Sequence, residues 1–144
     1  MDFIFVTILG ALWGSFANVC ILRLPEDKGV VVGRSFCPYC KKLIIWKDNI
    51  PIISFLLLKG KCRQCKKPIS LQYILVEILS LISFLSIYYY YGISMTTLLL
   101  IILALIFIII FFIDLKHFII PNTLTFPLMA LGFIKSFTPN LDKI

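Results

Sequence analysis

The sequence predicts an all-α integral membrane protein with about four transmembrane helices and a small cysteine-rich loop domain between the first two helices. The first observation behind this prediction is the composition, because 60% of the 144 residues are hydrophobic and only 15% are charged. Soluble domains usually carry about 25% charged residues. The second observation is that the apolar residues form long runs, and the third is that two CxxC pairs and most of the positive charge lie between the first two runs.

Two of the runs are long enough to span a bilayer and contain no charged residue. Phe3–Leu22 has 20 residues and Ile93–Ile113 has 21. At about 1.5 Å of rise per residue, a helix of either length crosses a hydrocarbon core of about 30 Å. A cleaved signal peptide is not expected, because a signal peptide has Lys or Arg ahead of its apolar stretch and only Asp2 stands there.

Two further runs predict the second and the fourth span. Leu71–Tyr91 is apolar apart from Glu77 and a few polar side chains. Phe118–Ile134 has 17 residues without formal charge, which is near the short limit for a span. Its two prolines, Pro121 and Pro127, are compatible with a membrane helix whose freed carbonyls are satisfied by neighbouring groups.

The positive charge is concentrated between the first and second spans. Eleven of the 14 Lys and Arg residues lie in residues 23–67, against three acidic residues, so this segment carries +8. Positively charged loops stay in the cytoplasm, which predicts a multi-pass protein of the inner or plasma membrane with its amino terminus outside and the cysteine loop and Asp114 on the cytoplasmic side. Because this topology accounts for the charge, the lipid bilayer is the expected partner and nucleic acid is not.

The four cysteines of the basic loop predict a metal site. Cys37 and Cys40 form one CxxC pair, and 21 residues separate it from the pair formed by Cys62 and Cys65. This spacing is typical of one tetrahedral zinc ion held by four thiolates. Four thiolates leave no open coordination position, so the zinc is expected to be structural rather than catalytic.

Two disulfides or a redox CxxC are the alternatives to zinc. Disulfides are disfavoured on the cytoplasmic face, where thiols stay reduced, and a redox motif normally accompanies a βαβ pattern that this sequence lacks. The segment between the pairs, Trp46–Ile53, is predicted to form a small turn or a strand pair. The fifth cysteine, Cys20, lies in the first span and is interpreted as a packing residue.

Asp114 is the candidate catalytic residue. It ends the third apolar run, where an ionisable residue often marks no more than the water boundary, as Lys116 and His117 also do. Pro121 and Asn122, however, indicate a tight return into the bilayer with a helix start close by. The carboxylate would then lie at the mouth of a helical hairpin, where partial desolvation would make it a usable acid or base.

Two polar residues inside the first two spans are expected to face the interior of the bundle. Asn18 is interpreted as a packing residue that hydrogen-bonds across helices. Glu77 is left open between structural pairing and a binding role.

Three stretches of the chain, in this order, resemble the prepilin peptidases, also called type IV leader peptidases, which are GxGD-type membrane aspartic peptidases. Residues 14–25 read GSFANVCILRLP and resemble the family's opening GxFxNVxxxRLP. Residues 35–77 contain both CxxC pairs, an Asn-Ile-Pro at 49–51 and a Leu-Val-Glu at 75–77. Asp114, followed by Ile-Pro-Asn-Thr-Leu-Thr at 120–125, is the third stretch.

The resemblance implies an aspartic endopeptidase that cuts the short basic leader from type IV prepilins, or from pseudopilins of type II secretion or DNA uptake (competence), at the cytoplasmic membrane face. Many members also methylate the new amino terminus with S-adenosylmethionine. Tyr73-Ile74 stands where the family often has Tyr-Pro, which weakens the methyltransferase inference. No residue of the sequence can be assigned to the methyl donor, so the cofactor-binding residues are unknown.

The family's chemistry needs two aspartates, one acting as base and one as acid. Asp114 matches the first, but this sequence has no GxGD motif to supply the second. We therefore expect the chain to be an amino-terminal portion that is inactive alone, or to work with a second polypeptide that supplies the missing aspartate. A noncatalytic zinc-bearing membrane module or assembly partner is the alternative function, and a thiol oxidoreductase is a third.

These expectations divide the chain into four parts. Residues 1–22 are the first transmembrane helix, 23–70 a cytoplasmic zinc-ribbon-like loop domain, 71–137 transmembrane helices two to four carrying Asp114, and 138–144 a tail.

Because the family's leader peptides are basic, we expect leader capture to depend on the acidic residues Glu26, Asp27, Asp48 or Glu77 and not on the positive charge of the loop.

Overall fold

The computed structural model describes residues 2–26, 29–30 and 33–137. Within these residues the protein is helical, and the only β structure is two isolated antiparallel bridges in the loop. The predicted tail, 138–144, lies outside the described residues, and so does Asp27. The all-α prediction is therefore confirmed for the part of the chain that the structure describes.

Five α-helices follow one another in the part of the chain that the structure describes. They are α1 (Asp2–Arg23), α2 (Ile53–Leu57), α3 (Leu71–Tyr91), α4 (Met95–His117) and α5 (Asn122–Phe137). Two short 3₁₀ turns add to them, at Leu24–Glu26 directly after α1 and at Trp46–Asn49 inside the loop. The segment between the CxxC pairs is thus a turn followed by the short helix α2, and the described residues there form no strand pair.

Of the helices in residues 2–26, 29–30 and 33–137, three are long and apolar enough to cross a membrane, namely α1, α3 and α4. The fourth predicted span is a helix as well, but α5 has only 16 residues, or about 24 Å at 1.5 Å per residue. The chain starts this helix at Asn122 and not at Phe118 because Phe118 adopts a left-handed conformation with φ 54° and caps the end of α4. Pro121 follows, and a proline is tolerated at the beginning of a helix but not inside its hydrogen-bonded turns.

Helices α1 and α3 pack against each other as an antiparallel pair. Along α1 the residue numbers in contact rise while those along α3 fall, from Phe3 against Tyr88, through Gly10 against Phe84, to Asn18 against Tyr73. The end of α1 and the beginning of α3 therefore lie at the same end of the bundle. The cysteine loop, which connects them, emerges from that end.

Helix α4 completes the core of the bundle. Among the side chains that the structure describes, eight buried ones from the three long helices form one cluster: Ala17, Cys20, Ile21, Val76, Phe84, Leu105, Ile109 and Ile113. The packing role predicted for Cys20 is confirmed, since its side chain lies in this cluster. Because only residues 92–94 separate α3 from α4, α4 runs back along the bundle, and its last turn, with Asp114, lies at the end where the loop emerges.

Candidate metal centre and the membrane end beneath it

Each CxxC pair lies on a tight turn that brings its two sulfurs to one side. In the first turn the Cys37 N–H donates to the carbonyl of Lys42 at 3.0 Å, and the Lys41 N–H donates back to the carbonyl of Cys37 at 2.9 Å. Lys41 has φ 58°, the left-handed conformation that lets the chain reverse in so few residues. An isolated bridge between Phe36 and Leu43 closes the turn.

The second turn repeats the first. The Cys62 N–H donates to Lys67 at 2.9 Å, the Lys66 N–H donates to Cys62 at 3.0 Å, and Lys66 has φ 59°. The bridge that closes this turn joins Lys61 and Pro68. Two equivalent turns that face each other form a four-thiol site without any help from the membrane helices.

The four sulfurs are close enough to hold one ion. The Sγ atoms of Cys37, Cys40, Cys62 and Cys65 all lie within 4.8 Å of one another, and those of Cys37 and Cys65 are 3.8 Å apart. A tetrahedral zinc ion with Zn–S bonds of about 2.3 Å places its sulfurs about 3.8 Å apart. All five cysteines are free thiols, so the donor set and its spacing fit a metal ion and not a pair of disulfides.

The crowding of the thiols separates their proton affinities. Backbone N–H groups of Cys65 and Gln64 lower the pKa of Cys62 to about 7. For Cys65, the backbone N–H of Lys67 also acts to lower the pKa, but burial and the neighbouring thiols outweigh it and raise the pKa to about 11. One thiolate therefore forms readily, whereas further thiolates this close together need a bound cation to offset their repulsion.

An ion pair fixes the second cysteine turn to the 3₁₀ turn at Trp46–Asn49. Arg63 binds the Asp48 carboxylate with two nitrogens, Nε at 2.8 Å and Nη2 at 2.6 Å. The hydrogen bond from Arg63 is the main reason that the pKa of Asp48 is lowered. Asp48 is therefore engaged inside the loop and is not a free acidic group for a basic leader.

Glu77 connects the loop to the membrane helices. Its side chain is only 7% exposed, and Oε2 accepts a 2.7 Å hydrogen bond from the backbone N–H of Ile52 in the loop. Ile52 has φ 62° and ψ −53°, and the Ile53 N–H donates to the carbonyl of Pro51 at 2.6 Å. Ile52 is thus the centre of a γ-turn, a strained conformation for a β-branched residue, and the buried carboxylate holds it. Of the two roles left open for Glu77, the contacts favour structural pairing.

Polar side chains continue from Glu77 into the bundle, and we call this group, Glu77, Asn18 and Ser80, the polar seam. The Asn18 Nδ2 donates to the carbonyl of Tyr73 at 3.0 Å, so the predicted hydrogen bond across the helices is confirmed. Two other atoms of this seam, Asn18 Oδ1 and Ser80 Oγ, are buried and have no hydrogen-bond partner among the described residues. The seam forms because α1 and α3 approach closely at Gly14, where an added Cβ would lie 2.8 Å from the Cα of Glu77.

Asp114 lies in the last turn of α4, at the same end of the bundle as the loop, and is exposed. The described residues give its carboxylate neither a hydrogen bond nor an ion pair, and the expected partial desolvation is not provided by them. Helix α5, which follows Asp114, contacts α4 through few residues, and its Leu124 packs against the buried core. The structure brings the four cysteines together but does not bring Asp114 into contact with them.

Comparison with known proteins places this arrangement in a family. Residues 8–91 match the model of the bacterial peptidase A24 N-terminal domain, and this range takes in α1 from its seventh residue onward, the whole cysteine loop and α3. The chain belongs to this family. The resemblance seen in the sequence is therefore confirmed, and the four-thiol site and Glu77 lie within the A24 N-terminal domain, whereas Asp114 lies beyond it.

The relatives of this A24 chain are named as prepilin-processing enzymes. It is 37% identical over 139 residues to a prepilin leader peptidase/N-methyltransferase of Myxococcus xanthus, covering 96% of this chain and 42% of that protein. It is 37% identical over 145 residues to the enzyme of the same name from Vibrio cholerae, covering 93% and 57%. The chain spans about half the length of the curated relatives that it matches. No solved structure matches it.

Sequence reasoning missed the close approach of α1 and α3 in this A24 domain. The signal was present in the sequence as Gly10-Ala-Leu-Trp-Gly14, a GxxxG pattern in an apolar run, which is typical of closely packed membrane helices. The contact between Glu77 and Ile52 has no comparable signal, because 25 residues separate its partners and it depends on an unusual backbone conformation.

Proposed function

We propose that this chain forms the amino-terminal half of a prepilin leader peptidase and that Asp114 is one of its two catalytic carboxylates. The observation that carries the proposal is the position of Asp114 on the last turn of a membrane helix, at the bundle end from which the family's cysteine loop emerges. The names of the relatives support the reaction class. The substrates are type IV prepilins or pseudopilins, cut behind a short basic leader.

The chemistry assigned to Asp114 needs a second carboxylate. In a pair of aspartates, one acts as base toward the attacking water and the other, kept protonated by the proximity of the first, protonates the leaving amine. The exposed side chain of Asp114 leaves room for such a partner. Among the described residues no other carboxylate contacts it, so the second aspartate comes from the remainder of the protein or from a separate polypeptide.

The orientation belongs to the same proposal. The +8 charge of residues 23–67 favours a cytoplasmic position for the loop, and Asp114 at the same end of the bundle then faces the cytoplasm, where a newly made leader is found. Methylation of the new amino terminus with S-adenosylmethionine is also proposed. It rests on the names of the relatives, and no residue of the chain is assigned to that donor.

Zinc is the metal we propose for Cys37, Cys40, Cys62 and Cys65. Four thiolates are a donor set that suits zinc, and with all four positions taken by protein the ion has no open site for substrate or water. Zinc there would hold the two cysteine turns together and give the loop a fixed shape. The catalytic step is assigned to the aspartates alone.

Cleavage by a completed enzyme tests the proposed function. The chain is joined to the carboxy-terminal remainder of the Vibrio cholerae relative, reconstituted, and given a prepilin substrate, with the products identified by mass spectrometry. Asp114→Asn is expected to lower the cleavage rate about 10³-fold or more, as loss of an essential acid or base usually does. Lys116→Gln, two residues further along the same helical turn, is the control and is expected to stay near the parent rate.

Two results would overturn this assignment. One is an Asp114→Asn variant that cleaves at the parent rate, and the other is efficient cleavage by residues 1–144 alone. A joined protein that binds zinc but neither cleaves nor methylates, the latter followed with isotope-labelled S-adenosylmethionine, would support the second candidate, a noncatalytic zinc-bearing module. That candidate is favoured by the exposed, unpartnered position of Asp114 among the described residues.

A further inference from the structure

The basic charge of the loop has no role in the proposed chemistry, since a basic leader is repelled by it. Part of that charge surrounds a groove of about 390 Å³ lined by Leu57, Leu58, Lys59, Lys61, Cys62, Arg63 and Lys66. Two nitrogens of Arg63 are occupied by Asp48. The described residues give the three lysines no acidic partner, so three ammonium groups are free to bind an anion in this groove.

The same groove has an apolar rim that a soluble anion would not need. Leu57 is 77% exposed and its neighbour Leu56 is 63% exposed. Both belong to α2, and Ile53 on the same short helix is exposed as well. Leucines left this open beside three lysines form an amphipathic surface of the kind that binds at the boundary of headgroups and acyl chains.

The position of the groove in the fold brings it to the depth of the headgroups. The carbonyl of Gly60, between Lys59 and Lys61, accepts a 2.7 Å hydrogen bond from the N–H of Ile69. Ile69 is two residues before Leu71, where the membrane helix α3 begins. Two residues span at most about 7 Å, so the lysines lie close to the point at which the chain enters the membrane.

From these contacts we propose that the groove beside α2 binds the headgroup of an anionic phospholipid of the adjoining leaflet, with Lys59, Lys61 and Lys66 at the phosphate and Leu57 among the first carbons of the acyl chains. The charge balance allows this with the metal in place. A divalent ion with four thiolates carries a formal charge of −2, which leaves the loop strongly positive. The inference does not depend on the proposed peptidase activity.

Lipid binding at the groove can be measured by the quenching of the fluorescence of a single tryptophan by brominated lipids. The sequence has two tryptophans, Trp13 and Trp46, and both are replaced by Phe while Leu57→Trp places a reporter at the rim. Dibrominated phosphatidylglycerol, dibrominated phosphatidylcholine and inorganic phosphate are titrated separately into the detergent-solubilised full chain. Quenching at a much lower concentration of the phosphatidylglycerol than of the phosphatidylcholine is the expected result.

Two double variants with the same loss of charge locate the site. Lys59→Gln with Lys61→Gln is expected to raise the phosphatidylglycerol concentration at half-quenching by about fivefold per lysine. Lys41→Gln with Lys42→Gln removes the equivalent charge from the first cysteine turn, outside the groove, and is expected to change it less than about twofold. Metal content and circular dichroism verify that each variant keeps the fold of the loop.

Three outcomes would overturn the inference. Equal quenching by both lipids would mean that the rim contacts lipid without distinguishing the anionic headgroup from the zwitterionic one. An equal shift in the two double variants would assign the effect to overall charge and not to the groove. Displacement of the brominated phosphatidylglycerol by inorganic phosphate at comparable concentration would make the groove a site for soluble anions.

Discussion

At the scale of single residues, the loop has little apolar core, so its shape depends on a few polar contacts and, as we propose, on a metal ion held by its four thiols. Cys37 is its one buried hydrophobic residue among the described part of the chain. Removal of a ligand is therefore expected to unfold the loop, whereas removal of a cysteine elsewhere is not. The chain contains both kinds of cysteine.

Cys62→Ser is expected to abolish stoichiometric zinc binding, because three thiolates and a hydroxyl no longer form a closed thiolate site. Cys20→Ala is the control, since Cys20 is buried among the membrane helices and should leave the zinc content unchanged. Metal analysis of the purified variants checks both. Retention of zinc by Cys62→Ser, or equal loss in both variants, would contradict the four-thiol site.

Variants of Glu77 test whether a single buried carboxylate fixes the loop to the helices. Glu77→Leu leaves the Ile52 N–H without its acceptor, and an unsatisfied buried donor costs about 1–3 kcal/mol. Glu77→Gln keeps an oxygen at the same place. We expect faster hydrogen exchange in peptides that cover residues 45–58 of the Leu variant, and exchange near the parent rate in the Gln variant. If the two variants exchange alike, the hydrogen bond does not hold the γ-turn.

At the scale of elements, α1 and α3 form one unit because two glycines allow their backbones to meet. A Cβ at Gly14 would lie 2.8 Å from the Cα of Glu77 and 3.0 Å from the Cβ of Ser80. The nearer of these atoms is backbone and cannot rotate away, so the helices must separate. Gly132 in α5 is a matched contrast, since a Cβ there meets nothing within 4 Å.

Gly14→Ala is expected to lower the free energy of unfolding by about 1–3 kcal/mol, as overpacking usually does. Gly132→Ala is expected to be neutral or to stabilise by up to about 1 kcal/mol through helix propensity. Unfolding of both variants by sodium dodecyl sulfate in mixed micelles, followed by circular dichroism, measures the difference. A Gly14→Ala variant as stable as Gly132→Ala would show that the helices do not pack closely at this point.

How far the sequence predicts each element depends on the range of the forces that form it. The run Leu71–Tyr91 is a helix at those very residues, because an apolar segment in a bilayer satisfies its backbone by local hydrogen bonds alone. The four cysteines were equally predictable, because CxxC spacing carries the geometry of the site. The start of α5 was missed because it depends on the left-handed conformation of Phe118, and the exposure of Asp114 because it depends on how α5 packs.

At the scale of the whole molecule, the two ends of the helix bundle differ in the residues that lie there. One end has the cysteine loop and Asp114, and the other has the short turn between α3 and α4, whose residues 92–94 contain no Lys or Arg. The proposed orientation places the first end in the cytoplasm. Because trypsin cuts only after Lys and Arg, the loop of the native chain can be cut and the turn at residues 92–94 cannot, whereas cutting after Lys135 or Lys143 would remove no more than nine residues from the carboxy terminus.

Trypsin is therefore expected to cleave the loop of the native chain in inverted membrane vesicles, which expose the cytoplasmic face, and to spare the loop in spheroplasts. Ile93→Lys adds a cleavage site to the opposite end, at a residue that is 84% exposed, and makes the absence of cutting interpretable. This variant should be cut at residue 93 in spheroplasts only. Cleavage of the loop in spheroplasts would reverse the orientation and move Asp114 away from the compartment in which leaders are made.

Addition of a strong zinc chelator should accelerate cleavage in the loop, since loss of the ion frees the lysines of the loop from a folded backbone, while α1 and α3 stay protected by the bilayer.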